Sequence, residues 1–573
     1  MPNAFEIPGS PIQDSGLAAI DILFINPAHH GPDYYSPIGI NMLTTIVRDK
    51  GRTSDVLDFQ RMVIGREIAW PEGFLVEAEM RLQEVRARIF GFTVMNVGFP
   101  WALELAAVVR RLHPQATIVF GGPHATLLAR EILETSPQVD VVMVNEGEQA
   151  ILPFIEAVLE ERSLSDCPNL LFREADGTIV RTRATALLDD LDGLPWMTLD
   201  RDLLTRSAMI SVEAGRGCPY RCKFCSSHAI WTRTPRFKSP SRLVNEAAAY
   251  VAQAGSRAEP LLISLEHDDL ISNRPWFRDF VSFKQEVGAD FRYAITTRIN
   301  HLTEEVVSLL ASSGCVSVFV GLESGSERVQ TSSWKHLDLR KLVPSLRGLR
   351  ESRIHFSSNF IVGFPNETME DVAATIELVL RMAWLGSTVN ISMLCPEPGS
   401  EIHADADPAD YRLILEGDYA AELRRGGLSP ESLHPIARYH LTTLSNPNFD
   451  VLQMERTVRS IQYLITTFPG LTFEVFEAFS GNAYAFLTFV WNAVLENGPI
   501  DKDNVPNFAQ AAPRRRTGRS SEFFIYENAR AGIRRGELLH ITPKAFQPDM
   551  PDPYFAWMND IADAQWMHLN ANT

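Results

Sequence analysis

Cys218, Cys222 and Cys225 crowd into eight residues of the run Gly215-Arg216-Gly217-Cys218-Pro219-Tyr220-Arg221-Cys222-Lys223-Phe224-Cys225. Three thiolates on one short loop at CxxxCxxC spacing bind three corners of a four-iron cluster and leave the fourth iron open to a small molecule. Zinc is the competing metal. A closed tetrahedral zinc site needs a fourth ligand; His228 is close enough to be one, but no CxxC pair elsewhere completes the set. Cys167, Cys315 and Cys395 are scattered singly in apolar or turn contexts and read as small core residues.

A cysteine loop of this kind has to be carried by a rigid element, and the triplet directly follows an apolar strand pattern at 209–213. Five more strand patterns follow, at 261–266, 291–296, 316–321, 355–362 and 389–394. Helical periods at 240–254, 274–287, 304–313, 339–351 and 369–385 separate them. Six β/α units in succession predict a partial barrel of the TIM type rather than an open sheet. Upstream, strands at 20–25, 53–59, 88–93, 116–120 and 139–144 alternate with helices at 38–48, 101–112 and 125–134, the pattern of a doubly wound parallel sheet. Residues 70–84 interrupt that rhythm as a helical insertion, and the acidic turn-rich run 189–195 reads as a linker. From 411 onward the pattern is mainly helical, notably at 450–467 and 473–495. The expected fold class is therefore α/β, divided into 1–190, 196–405 and a helical 411–573.

The cysteine motif and its placement after a first barrel strand resemble those of the radical S-adenosylmethionine (SAM) enzymes, whose loop reads CxxxCxΦC with an aromatic Φ, here Phe224. The resemblance implies that Cys218, Cys222 and Cys225 hold a [4Fe-4S] cluster, that SAM chelates its open iron, and that Phe224 lies near the adenine. Further motifs close the later strands: Leu265-Glu266-His267-Asp268-Asp269, Thr297-Arg298, Gly321-Leu322-Glu323-Ser324-Gly325-Ser326-Glu327 and Gly363-Phe364-Pro365-Asn366-Glu367-Thr368. By the same resemblance Asp268, Arg298, Glu323, Ser324 and Gly363 contact the ribose hydroxyls, the methionine end or the adenine edge, where carboxylates serve as acceptors. The family's Gly-Gly-Glu after the second strand is absent. The variant Leu-Glu-His-Asp-Asp puts Glu266 where it can reach the open iron itself, which makes it the candidate catalytic residue.

The leading sheet lacks the Gly-x-Gly-x-x-Gly of dinucleotide binders, since residues 26–35 read NPAHHGPDYY. It resembles the cobalamin-binding domain, with a hydroxyl residue after one strand (Thr93-Val94-Met95) and a glycine pair after the next (Gly121-Gly122-Pro123-His124). Glycines admit close approach of a bulky ligand to the backbone, and Thr93 can hydrogen-bond a buried nucleotide tail. Thr93, Met95, Gly121, Gly122 and His124 are the implied cobalamin contacts, with His29 and His30 at the edge. Neither His29 nor His30 stands in an Asp-x-His-x-x-Gly, so the resemblance implies cobalamin without a protein histidine on cobalt.

Together these resemblances imply a cobalamin-dependent radical SAM methyltransferase acting on a carbon of a small-molecule or peptide substrate of secondary metabolism, fed by an external flavodoxin- or ferredoxin-type donor. Two enzymatic alternatives share the motifs: a non-methylating relative that forms or rearranges a ring, and a polar methylase of an activated ring such as an indole. A sensor that has lost catalysis is the non-enzymatic alternative, and the intact triplet argues against it. Fifty-three Lys+Arg against 71 Asp+Glu give a net charge of −18, which speaks against a nucleic-acid partner. No apolar run approaches the roughly 18 residues of a membrane span. The start MPNAFEIPGSPIQDSG carries no signal-peptide pattern, so the cytoplasm is the expected location. Arg514, Arg515, Arg516 and Arg519 read as a solvated loop.

Overall fold

The structure, a computed structural model, describes residues 20–29, 36–257 and 260–513. Strands β1 (Ile20–Asn26), β2 (Ser54–Asp58), β3 (Ala87–Thr93), β4 (Thr117–Gly121), β5 (Val141–Met143), β6 (Leu170–Arg173) and β7 (Ile179–Arg181) form one sheet in the order β2-β1-β3-β4-β5-β6-β7. The first five pair in parallel. Their runs are nearly continuously apolar because helices bury both faces: Ile38–Asp49 and Ile151–Leu159 on one, Phe74–Gln83 and Phe99–Leu112 on the other. The order reverses between β1 and β3, so the crevice beyond their carboxyl ends is where such a sheet takes a ligand. Helix Phe74–Gln83 is the expected insertion, seated by Phe74 edge-on to Trp101 at 5.4 Å.

The pair β6 and β7 is an addition to the expected sheet, antiparallel to β5 and to each other. Its turn is Asp176-Gly177, with Gly177 at φ +88°. An Asp-Gly between apolar runs is a hairpin signal that the alternating pattern upstream overshadows.

The second sheet begins with β8 (Met209–Glu213). A short ribbon of β9 (Gly215–Arg216) and β10 (Arg236–Phe237) follows, then β11 (Leu262–Glu266), β12 (Arg292–Thr296), β13 (Cys315–Glu323), β14 (His355–Val362) and β15 (Thr388–Met393). The six long strands run in parallel in the order β15-β14-β13-β12-β11-β8, an open barrel whose strand positions follow the sequence expectation. One set of alternating residues, including Ile210, Val212, Ile263, Leu265, Val318 and Val320, is buried under the helices. The other set, Ser211, Ser264, Glu266, Thr296, Ser357 and Asn359, gives the lumen a polar lining.

Beyond 405 the chain adds to both layers. Tyr419, Leu423, Ile436 and Leu441 join the core on one face of the first sheet, whereas helices Val451–Thr467, Pro469–Ala478 and Ala483–Asn497 share the barrel's core. The single helix expected over 473–495 is two helices, because Ser480 and Gly481 take left-handed φ of 57° and 74°. Strands β16 (Tyr411–Leu413) and β17 (Thr442–Leu444) form a small antiparallel pair. Gln462 lies along the outer edge of β15, accepting from Ile391 N at 2.9 Å and donating to Val389 O at 3.1 Å. Among the described residues no helix is long and apolar enough to cross a membrane. The arginine run 514–519 and His30 lie outside the described residues.

Candidate active site

The cysteine loop leaves β8 through the β9–β10 ribbon, and Gly215 is what lets the ribbon close: a Cβ there would stand 2.3 Å from Arg236 O and 2.8 Å from the His267 ring. Gly217, at φ +92°, then turns the chain into the triplet. Cys222 is buried, Cys218 and Cys225 are half-buried, and none forms a disulfide. The loop is tied down where Lys223 N donates to Ser333 O at 2.9 Å and Lys223 O accepts from Ile402 N at 3.0 Å. Among the described residues no three His, Cys, Asp or Glu side chains close on a single metal ion.

The donor set suits an iron–sulfur cluster. Three thiols project from one loop, and buried Arg298 points Nη1 at Cys222 Sγ at 3.5 Å, a cation placed to offset thiolate charge. Arg298 lies 3.8 Å over the Tyr220 ring, and its Nη2 donates to Lys335 O. Burial pushes the Cys218 thiol up to about 12 and also raises Cys225.

Around that loop the strand ends present the other expected residues in distinct states. Glu266, at the end of β11, is half-buried and accepts from Ser211 Oγ on the neighbouring strand β8 at 2.8 Å. Asp268 is exposed and accepts from Ser227 Oγ at 2.8 Å, which brings it beside the cysteine loop. Phe224 packs edge-on to Phe364 at 5.7 Å. Glu323, at φ +62°, accepts from Lys335 Nζ at 2.9 Å. Ser324 is buried with its hydroxyl 3.0 Å from Thr375 Oγ1, a tie between elements rather than a group presented to the lumen. Gly363, at φ +96°, donates its N–H to Glu367 Oε2 at 2.5 Å, and burial lifts that carboxyl to about 8.

The first sheet presents its own cradle. Val94 N donates to Gly121 O at 2.8 Å and Val94 O accepts from His124 N at 3.2 Å, locking the turns after β3 and β4 together. At Gly122, φ +96°, a Cβ would lie 3.0 and 3.1 Å from Val94 N and O and 3.4 Å from Thr93 Oγ1, so this glycine serves the backbone itself. A Cβ on Gly121 would meet only Met143 O, at 3.7 Å, and Met95 beside it is 51% exposed. Open backbone and an uncovered apolar side chain, beyond the carboxyl ends of β4 and β3, fit a large flat ligand such as a corrinoid. His124 is set apart from that opening. It is 2% exposed between Phe99 (4.7 Å) and Tyr439 (6.5 Å), and burial lowers its pKa to about 4. His29 N donates to Gln60 Oε1 at 2.8 Å.

The two strand-end surfaces touch. Asn96, after β3, donates to both oxygens of Glu397, after β15, at 2.9 and 3.0 Å. Arg216, two residues before Cys218, reaches Glu146 (2.8 Å) and Glu148 (2.6 Å), after β5, and Glu213 (2.7 Å) on its own side. Arg236 adds a second bond to Glu146 at 2.8 Å. Burial pushes the Glu146 carboxyl up, but the Leu188 N–H and the two guanidiniums outweigh it and hold the group below its ordinary value. None of these interdomain residues stood out in the sequence. Only the position of Arg216 inside the cysteine motif offered a cue.

Residues 29–154 match the B12 binding domain and residues 212–379 match the radical SAM superfamily. The chain is 25% identical over 320 residues to an uncharacterized methyltransferase of Pyrococcus horikoshii, across 55% of this chain and 68% of that one. With the anaerobic magnesium-protoporphyrin IX monomethyl ester cyclase of Rubrivivax gelatinosus it shares 26% identity over 403 residues, across 66% and 69% of the two chains. Among solved structures, the radical SAM methyltransferase TsrM of Kitasatospora setae, with cobalamin and a [4Fe-4S] cluster bound, aligns with a TM-score of 0.60 at 16% identity, covering 83% of this chain and 99% of that one. The cobalamin-dependent SAM radical enzyme OxsB aligns with a TM-score of 0.59 at 12% identity, covering 90% and 80%. At these identities the structural likenesses establish the fold. With a B12 binding domain ahead of a radical SAM domain that carries its cysteine triplet intact, the chain belongs to the cobalamin-dependent radical SAM enzymes.

Proposed function

We propose that this enzyme transfers a methyl group from SAM, by way of cobalamin, to a carbon of a small-molecule or peptide substrate, in the cytoplasm. The observation that carries the reading is the contact between the two strand-end surfaces, through Asn96 with Glu397 and Arg216 with Glu146. On this reading the cysteine loop and the Gly121 opening border one space. In that space a bound cobalamin supplies a transferable methyl group, and a cluster with SAM supplies one-electron cleavage that makes an unreactive carbon reactive.

The chain's own residues hold and orient. Cys218, Cys222 and Cys225 would ligate the cluster, with Arg298 offsetting the charge at Cys222. Phe224, Asp268, Glu323 and Gly363 border the SAM site, and Ser324 fixes the loop after β13 rather than touching the ligand. Thr93, Met95, Gly121 and Gly122 would receive the corrinoid, and buried His124 would support the turn after β4 from behind, between Phe99 and Tyr439. Glu266 stands in the lumen as an acceptor or base.

Two other readings each have an observation behind them. The cyclase relative of Rubrivivax gelatinosus supports ring formation without methylation. The half-buried carboxylate of Glu266 supports polar methylation, and TsrM has been solved with tryptophan and a SAM analogue. The test is product stoichiometry with the reconstituted holoenzyme, methyl-deuterated SAM and a panel of small molecules and peptides that includes tryptophan. Radical methylation yields one S-adenosylhomocysteine and one 5′-deoxyadenosine per labelled product. Labelled product without deoxyadenosine would establish the polar route, and deoxyadenosine with unlabelled, cyclised product the ring-forming one.

A further inference from the structure

The protein carries a net charge of −18, yet the surface directly over the cysteine loop is basic. Arg221 is exposed between Cys218 and Cys222, and Lys223, between Cys222 and Cys225, holds its ammonium 5.2 Å over the ring of Trp334. Trp334 is itself 41% exposed. His336 is exposed beside it, and the strap continues into exposed Arg340 and Lys341. Three acids temper the patch: Glu401 pairs with Lys223 at 3.3 Å, Asp338 with Arg340 at 2.8 Å, and exposed Glu327 also faces Arg340. Four cations against three carboxylates leave this face slightly positive on an otherwise negative molecule.

The strap is held in a particular shape. Trp334 and His336 both take left-handed φ, 57° and 49°, while Lys335 between them is buried with its ammonium on Glu323. Non-glycine residues adopt that region only where the surroundings over-determine it. Here the strap is bonded to the cysteine loop through Lys223 N and Ser333 O, and to the loop after β12 through Asn300 Nδ2 and His336 O at 3.2 Å. The alternation keeps Lys335 inside and turns a large aromatic face outward next to the cations.

We infer that Arg221, Lys223, Trp334 and Lys341 form the docking surface for the electron donor, a small acidic protein with a one-electron centre. The inference rests on the proposed reductive use of the cluster. An aromatic anchor ringed by cations is the usual form of a transient recognition site, and local positive charge is what draws an acidic carrier to a protein that repels it elsewhere. Arg221 and Lys223 flank Cys222 in the chain, so a donor seated there meets the loop that carries it. The step moves one electron: the donor's reduced centre is oxidised by one electron, the cluster is reduced by one, and no bond or proton changes place.

The test uses full-length protein, reconstituted with cluster and cobalamin, and freeze-quench electron paramagnetic resonance of cluster reduction. The reductants are a reduced acidic flavodoxin and, separately, dithionite. Arg221→Glu with Lys341→Glu, and independently Trp334→Ala, should slow reduction by flavodoxin about tenfold or more. Added salt should slow the wild type and scarcely affect the charge-reversed variant. Iron content and the dithionite rate should match the wild type. A flavodoxin rate unchanged in both variants and insensitive to salt would overturn the inference. So would equal slowing with both reductants, because these residues would then shape the cluster's surroundings rather than receive a partner. If dithionite fails to reduce the wild-type cluster at all, the reductive reading falls, and the docking surface with it.

Discussion

Replacing Arg216 with methionine removes the cation that meets three carboxylates at once across the domain boundary. Arg236 would remain on Glu146, but among the described residues Glu148 and Glu213, each 10% exposed at the side chain, would keep no cation. Stranding a buried charge in this way costs about 3–5 kcal/mol. For a unit of roughly 200 residues each kcal/mol moves the melting point by about 2–4 °C, so the variant should melt on the order of 10 °C lower at pH 7.5. The pH dependence has a definite sign. In the wild type Glu146 is held below its ordinary value, so its contribution is present above the ordinary carboxylate pKa and fades as pH falls through the lowered one. In the variant the stranded carboxylates are raised instead, and their penalty grows with rising pH. Both effects make the gap between the proteins shrink on acidification. Thermal melts of the full chain at pH 7.5 and about 4 measure this, and Arg216→Met combined with Glu148→Gln and Glu213→Gln should regain most of the loss. A single variant melting within about 2 °C of the wild type at pH 7.5, or a triple variant no better than the single, would refute the assignment of this cluster as an electrostatic fastening.

Other outcomes follow from particular side chains. Burial holds His124 at about 4, against 6.5 when unfolded, so its contribution is full above pH 6.5 and lost on going down to 4, a swing of about 3 kcal/mol; the melting point of His124→Gln should fall less steeply over that range. Gly122→Ala should destabilise the first domain by about 1–3 kcal/mol, because its Cβ meets the Val94 backbone at a left-handed φ. Gly121→Phe should instead leave the melting point of the cobalamin-free protein near wild type and cut cobalamin occupancy, read by absorbance. The paramagnetic resonance spectrum of the protein with reduced cobalamin should show no splitting from a protein nitrogen. An imidazole pattern there would point to His29 or His30, since His124 is walled in by Phe99 and Tyr439.

What the sequence made legible was local chemistry and two-sided burial. The cysteine triplet is readable because its ligands lie on one loop. The barrel strands are readable because they alternate, apolar toward the helices and more polar toward the lumen, as at Leu262–Glu266 and Thr388–Met393. The β6–β7 pair is harder because its strands are only four and three residues long and the polar turn between them leaves too short a run on either side to show a period. Ser324 looked like a ligand because it sits in the right loop. Only the fold shows that Thr375, 51 residues on, occupies its hydroxyl. Asn96 and Glu397 are 301 residues apart, and Arg216 and Glu146 are 70 apart. Each is an unremarkable polar residue at the end of a strand, and it becomes part of an interface only when two separately wound sheets are set end to end.

The barrel stops at six strands, so it has borders, and the outer border at β15 would offer a row of unpaired amides and carbonyls to any extended chain nearby. Gln462 answers two of them with a primary amide, which presents the same donor and acceptor as a peptide group, and thereby stands in for a seventh strand one residue long. The helix that carries it therefore protects against misassembly as well as adding apolar bulk. A chain cut before Val451 would lose this plug along with its share of the core, and two such barrels could zip border to border. For the same reason, a nascent chain stays vulnerable until its last helices emerge from the ribosome.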